Sequence, residues 1–328
     1  MKRAAVRSIA VAVMLLAVAV IAEAQQPKKI PRIGVLSFAS SSANSSRVEA
    51  FEQGLHELGY TLGSNIAIEY RYADGKEDRL PALVADLVRL RVDIIVAGGG
   101  NATLAAKNAT KTIPIIISGA SDPVGTGLVA SLARPGGNIT GLTGISPDLS
   151  GKRLELLKEV IPGVSRVAVL LYRDNPAATL LLKETEAAAQ PLGLQLQILQ
   201  VNDSSELQNV FETIKKGRSE AIDILSSAFF SAWRKEIVEL AARVRLPAMY
   251  VDSTFIDAGG LMSYGANIPD MYRHAATFVD KILKGRKPAV LPVEQPTKFE
   301  FNVNLKAAKQ IGLTIPPNVL ARADKVIR

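Results

Sequence analysis

The chain contains no cysteine. That excludes disulfides, thiolate metal sites and a cysteine nucleophile. It also removes the residue on which exported proteins carry a lipid anchor, so an exported chain of this kind needs an enclosed periplasm to retain it, as in a two-membraned bacterium. Histidine is nearly absent too. His56 and His274 stand far apart within predicted helices, with no metal-ligand spacing around either, so no metal site is expected. Aromatic residues make up 5% of the chain, and its basic residues are scattered rather than gathered into a stripe. Nucleic-acid binders concentrate Lys and Arg on a face or arm, so a nucleic-acid partner is not expected. No Gly-x-Ser-x-Gly elbow occurs, which removes the usual mark of a serine hydrolase.

One long apolar run is present, at the start. Lys2, Arg3 and Arg7 precede Ile9–Ala22, and Ala22-Glu23-Ala24 places small residues where a signal peptidase reads them. Residues 1–24 therefore read as a secretory signal, leaving Gln25 as the new N-terminus. The run is shorter than the roughly 20 residues that span a bilayer. The formal charge of +8 includes this leader; removing its three bases and one acid leaves +6. The remaining length exceeds what one ordinary core needs, and two domains are expected.

Short β-branched runs alternate with amphipathic ones. Arg32–Ser37 reads as a buried strand. Arg47–Leu58 reads as a helix with Val48, Phe51, Leu55 and Leu58 on one face and Gly59 at its end. Strands over 66–70, 93–97, 115–117 and 139–142 alternate with helices over 79–90 and 102–110. This order implies an α/β fold with parallel-type sheets covered on both faces. The second half repeats it: RIGVL at 32–36 is echoed by RVAVL at 166–170, and DIIV at 93–96 by AIDIL at 221–225. Likewise IPII at 113–116 matches LPAM at 246–249, and GGNI at 136–139 matches GGLM at 259–262. Four pairs in one order predict two similar Rossmann-like lobes. Ligands of such sheets bind beyond the carboxyl ends of the strands, which directs attention to loops 38–46, 97–103, 118–124, 172–177, 226–230 and 250–255.

Four segments carry a family resemblance: RLPAL at 79–83, SDPV at 121–124, LVASLARPGGNITG at 128–141 and GGLMSYG at 259–265. They resemble the ABC-transporter substrate-binding family that includes tryptophan-binding receptors, of the type I periplasmic-binding-protein fold. The similarity covers nearly all of the chain after the leader. It implies hinge-linked lobes with three crossings, near Ser146, Gly265 and Lys298. One lobe would comprise residues 31–145 and 266–297, the other 146–265 and 298–328. It also implies transport through an inner-membrane ABC permease; with the leader and the missing cysteine, a periplasmic protein is expected, and a monomer. Ligand identity does not transfer with the resemblance.

Several residues are candidates for binding. Gly98–Thr103 (GGGNAT) follows a strand and opens a helix, but it lacks the third glycine of a dinucleotide fingerprint and the Gly-Lys-Ser/Thr of a P-loop. It reads as a tight turn with Asn101 as N-cap. The same geometry lets Gly99, Asn101 and Thr103 hold a carboxylate at a helix start. Ser40–Ser46 reads as a flexible loop, with Ser40, Ser41 and Ser42 as candidate donors. Asp122, beside Ser121, and Asp252, at the equivalent place in the repeat, are either loop caps or partners for an ammonium group. Asn175 is a candidate amide. Phe38, Tyr172, Phe229, Phe230 and Trp233 fall near strand ends, where they pack under loops or, as with Phe229, sandwich a flat apolar group. No cofactor motif and no catalytic constellation is present. The leading expectation is a binding module that closes by hinge motion on a small solute, first of all an amino acid or related zwitterion. The alternative is a secreted α/β enzyme or sensor acting on a small polar substrate. A DNA-binding regulator of the same fold would carry a helix-turn-helix where this chain has its leader.

Overall fold

The computed structural model describes residues 29–145 and 149–328. The leader and the expected crossing at Ser146 lie outside the described residues. Two sheets organise the rest. The first has the order β2-β1-β3-β4-β5 (β1 Arg32–Ser37, β2 Ala67–Tyr72, β3 Ile94–Gly98, β4 Ile115–Ser121, β5 Ile139–Ile145), with every pair parallel. The second begins with β6 Arg166–Tyr172, β7 Gln195–Val201, β8 Ala221–Ile224, β9 Ala248–Tyr250 and β10 Met262–Ala266. It continues with β11 Phe299–Asn304 and β12 Lys325–Ile327, in the order β12-β11-β10-β9-β8-β6-β7. With β6 set against β1, the first five strands of each lobe follow the same 2-1-3-4-5 order, a doubly wound arrangement. The matched sequence pairs all fall at equivalent strands.

The central strands are buried on both faces, which accounts for their unbroken Val/Ile character. Ile94–Ala97, Ile115–Ile117 and Val167–Leu170 are all fully buried. Each large aliphatic side chain so placed contributes roughly 1.5–3 kcal/mol. Helix α1 covers the first sheet over Ser41–Glu57, not the expected 47–58. Ser40 is its N-cap and accepts from the Ala43 amide, so the serine run opens a helix rather than forming a loop. Phe51 and Leu55 are buried, whereas Leu58 follows the helix end and is exposed. Gly59, at φ +87°, terminates it.

After β10 the chain returns to the first lobe as a long helix, Ile268–Leu283, which packs along α1. Gly54 makes this contact possible: a Cβ there would lie 2.3 Å from the Arg273 carbonyl oxygen. The chain stays beside β5 as far as Glu294, whose carbonyl accepts from the Thr143 amide, and then re-enters the second sheet as β11. Because β11 arrives from the end at which β10 left, it runs antiparallel to β10. This is the departure from the all-parallel pattern that strand–helix alternation implies.

An ion pair is buried in the core of the second lobe. Arg153, on the helix Leu149–Val160, lies 3.8 Å from Asp223 of β8, and neither side chain is exposed. Neither Asp223 oxygen has a hydrogen-bond partner among the described residues. Burial pushes the Asp223 carboxyl up to about 6, against the pull of Arg153. Burial likewise lowers the Arg153 guanidinium, against Asp223 and Glu184. Such a pair makes a modest net contribution, but losing one partner strands a buried charge.

Candidate functional site

The carboxyl ends of the two sheets face one another and enclose an inner cavity of about 60 Å³. The first lobe contributes Gly98–Asn101 after β3, Ser118, Gly119 and Ser121 along the end of β4, and Arg47 from α1. The second contributes Asn175, Ser226–Ala228, Ser231 and Asp252. The long helix Ile268–Leu283 adds Ile268 and Tyr272. The β4–β5 register breaks twice between Ser118 and Ser121. These irregularities turn the end of β4 into the cavity wall, a use of bulges common beside binding sites.

The first two of the three consecutive glycines are sterically constrained. A Cβ on Gly98 would lie 2.3 Å from the Tyr272 hydroxyl. Gly99 sits at φ +87°, and its Cβ would lie 3.3 Å from that of Ala228 in the opposite lobe. Gly99, not Asn101, is the cap of the helix Gly100–Ala109. Asn101 is already helical, and its Nδ2 donates to Glu77 Oε1 at 2.9 Å and across the cleft to the Asp174 carbonyl at 2.8 Å. Thr103 lies outside the cavity lining, because its hydroxyl donates back to the Gly99 carbonyl at 2.7 Å. The expected Asn101–Thr103 carboxylate cradle is thus replaced by bonds within the protein.

The other candidates separate in the same way. Asp252 lines the cavity as the N-cap of the helix Ser253–Asp257. Its Oδ1 accepts from both the amide and the hydroxyl of Thr254. Asp122 does not line the cavity: at φ +34° it closes a turn, its Oδ1 accepting from the Gly125 amide at 2.8 Å. Ser121 and Asn175 line the cavity, Asn175 with its Nδ2 on the Ser226 carbonyl at 2.7 Å. Phe229 does not, because it stacks on Tyr172 at 4.5 Å between centroids and 1° between planes. Phe38 of the first lobe caps both rings edge-on, at 6.3 and 6.5 Å. The ring that was to sandwich a solute sandwiches a protein ring.

Ser40 and Ser42 line a second, outer cavity of about 550 Å³, shared with Gln208, Trp233, Arg234 and Leu240 of the second lobe. Ser41 lies on the exposed first turn of α1 and lines neither cavity. Trp233 also touches the first lobe, since a Cβ on Gly75 would meet its indole nitrogen at 2.8 Å. Near the cavities, Tyr172 donates to Glu77 Oε2 at 2.7 Å, joining the lobes. Burial, with Glu77 behind it, raises the Tyr172 phenol, which stays protonated as the donor.

Arg47, Tyr272 and the serines at 118, 226, 227 and 231 are among the polar site residues that the sequence does not single out. Arg47 reads in the sequence only as the first residue of a helix, and Tyr272 arrives from a helix more than 200 residues further along the chain. Ser226 and Ser227 lay within a loop already singled out. Arg47 sits over the Tyr272 ring at 5.9 Å. Arg47 Nε and Ser118 Oγ are buried with no hydrogen-bond partner among the described residues. No group of metal-ligating side chains occurs among those residues.

Residues 32–327 match the family model described as ABC transporter substrate binding protein. The chain belongs to that family. A tyrosine-binding protein of Clostridioides difficile is 23% identical over 287 residues, which cover 87% of this chain and 82% of that protein. A conserved domain protein from Vibrio cholerae superposes with a TM-score of 0.85 at 28% identity, covering 91% of this chain and all of the other. A domain from Streptococcus pneumonia in complex with L-Trp gives a TM-score of 0.84 at 26% identity, covering 90% of this chain and 99% of the other. Two hinge-linked α/β lobes of the type I periplasmic-binding fold and a role in solute binding for ABC transport are therefore established for this substrate-binding protein.

Proposed function

We propose that this protein binds a small zwitterion of the amino-acid class outside the cytoplasm and presents it, as a monomer, to the permease of an ABC importer. The observation that carries the reading is the polar cavity between the facing strand-end loops, with Asp252 as its carboxylate. Amino acids stand in the names of two relatives, the tyrosine-binding protein and the domain bound to L-Trp. An ammonium group would meet the Asp252 oxygen that Thr254 leaves free. Closure of the lobes would present the bound solute in a shape the permease reads, without covalent chemistry. Export by removal of residues 1–24 into a periplasm completes the proposal, as does the division into lobes 31–145 with 266–297 and 146–265 with 298–328.

The test is a thermal-shift survey of residues 25–328, stripped under denaturant and refolded. At 100 times its dissociation constant a bound solute adds about 2.7 kcal/mol to stability. A response to one or a few L-amino acids supports the reading. A response confined to uncharged sugars refutes it.

A further inference from the structure

We propose that the solute's carboxylate is clamped between Arg47 of the first lobe and Arg234 of the second, so that the anion itself draws the lobes together. This rests on the amino-acid reading above and adds the part of the site that recognises the acid group.

The two arginines approach the cleft from opposite sides. Arg47, one turn beyond Ala43 on α1, lines the inner cavity. Arg234, at the start of the helix Arg234–Val244, lines the outer cavity together with Ala43. Arg234 Nη1 donates to the carbonyl of Ser231, a residue of the inner cavity's wall, at 2.9 Å. The two guanidiniums therefore sit where the cavities meet. Among the described residues, neither has a carboxylate within ion-pair distance. Burial lowers the Arg234 guanidinium and Arg47 lowers it further, against the pull of Asp252 and Asp257, so the two cations sense each other across the cleft.

Two cations held close in a half-buried cleft repel, which opposes closure until an anion lies between them. A carboxylate offers two oxygens to guanidinium donors and reverses the sign of that interaction. The balance of charge fits one solute class. The inner cavity is lined by one acid, Asp252, and one base, Arg47, with Arg234 at its mouth beside the mixed charges of the outer cavity, Lys235, Arg243, Glu236 and Glu239. Carboxylate on the arginine pair and ammonium on Asp252 together describe the head of an amino acid. The inner cavity, of about 60 Å³ against about 550 Å³ for the outer one, suits that head. The solute's side chain would extend into the outer cavity, past Trp233 and Leu240.

The test uses the stripped protein and three probe sets: the twenty L-amino acids, their carboxamides, and ribose. Calorimetry is run on the wild type, Arg47→Gln and Arg234→Gln, and small-angle scattering on the same three proteins without solute. The clamp predicts that an amino acid binds, that its carboxamide binds at least about tenfold more weakly, and that each substitution weakens the acid by a similar factor while leaving the amide little changed. It also predicts a smaller radius of gyration for each stripped variant than for the wild type, because the repulsion has been removed. If an amino acid binds and both variants hold it within about twofold of wild type, the clamp is overturned and the amino-acid reading stands. Binding of ribose alone overturns both. Silence across the panel sinks the amino-acid reading, and an unchanged radius of gyration in both variants then overturns the clamp as well.

Discussion

Replacing Tyr172 with Phe isolates one bond that exists only when the lobes are together. The Tyr172 hydroxyl belongs to the second lobe and Glu77, its acceptor at 2.7 Å, to the first. The substitution keeps the ring, so the stack on Phe229 and the edge contact with Phe38 survive. A hydrogen bond to a charged group contributes about 1.5–3 kcal/mol. Glu77 keeps its second bond, from Asn101 Nδ2 at 2.9 Å, and in the open form both Glu77 and Tyr172 are free to be hydrated. Both facts favour the lower end, about 1.5 kcal/mol, a factor of roughly ten in the ratio of closed to open protein. Because apparent affinity scales with the population of the competent state, solute binding should weaken by about tenfold. Calorimetry with the amino acid that gives the largest thermal shift reads this directly. Resistance of the fold to urea should hardly change, since the bond lies between lobes and not within one. An affinity within about twofold of wild type would show that the Tyr172–Glu77 bond does not couple to closure.

Gly99→Ala should weaken binding more than it destabilises the fold. It adds the cost of φ +87° and sets a methyl 3.3 Å from Ala228 across the cleft; equal affinity in the variant would refute the close approach. Arg153→Met should destabilise the protein by about 3–5 kcal/mol at pH 7 by stranding Asp223. The Asp223 carboxyl is raised in the folded protein above its unfolded value, so the folded form takes up its proton first, and stability from this group is lost as pH rises through about 6. The penalty of Arg153→Met, measured by urea denaturation, should therefore shrink at pH 5, with Glu184 and Tyr264 beside the arginine in both cases; an equal penalty at both values contradicts a charged Asp223. Asp252→Ala should lower stability by about 1 kcal/mol through the lost cap and abolish the preference for an amino acid over the same molecule lacking its ammonium group. Asp122→Ala should leave affinity unchanged, as its carboxylate is held in a turn outside the cavity.

The fold was legible because its signal is repeated. RIGVL and RVAVL, with the three later pairs, name equivalent strands, and burial on both faces of β1, β3, β4 and β6 leaves unbroken aliphatic runs that local reading detects. The site was legible only to the level of the loop. Gly99, Asn101, Ser121, Asn175 and Asp252 line the inner cavity, each taken from a loop at the carboxyl end of a strand. Side-chain direction was not legible. Thr103 lies two residues from Asn101, yet its hydroxyl is held by its own helix. Phe229 is adjacent to Ala228, which lines the cavity, yet its ring stacks on Tyr172. The serine run at 40–46 misled because small polar residues serve loops and helix starts equally, and the Ser40 cap decided for the helix.

The two aspartates show why a duplicated fold need not carry a duplicated site. Asp122 and Asp252 both come after the fourth strand of their lobe, and the repeat assigns them equal standing. Their C-terminal neighbours separate them. Pro123 comes after Asp122, and the backbone turns through φ +34° so that the carboxylate closes on Gly125. Ser253 and Thr254 come after Asp252, and a short helix begins there, with one carboxylate oxygen caught by Thr254 and the other left to the cavity. The first lobe thus meets the cavity at this position with β4 backbone and Ser118, and the second with a charge. An asymmetric solute, acid at one end and base at the other, is bound better by unlike halves than by like ones. Exchanging the residues C-terminal to the two aspartates, so that Asp122 is succeeded by Ser-Thr, should free the Asp122 carboxylate from its turn. If that exchange left both the Asp122 turn and solute selectivity as they are, local sequence after the strand would not be what distinguishes the two lobes.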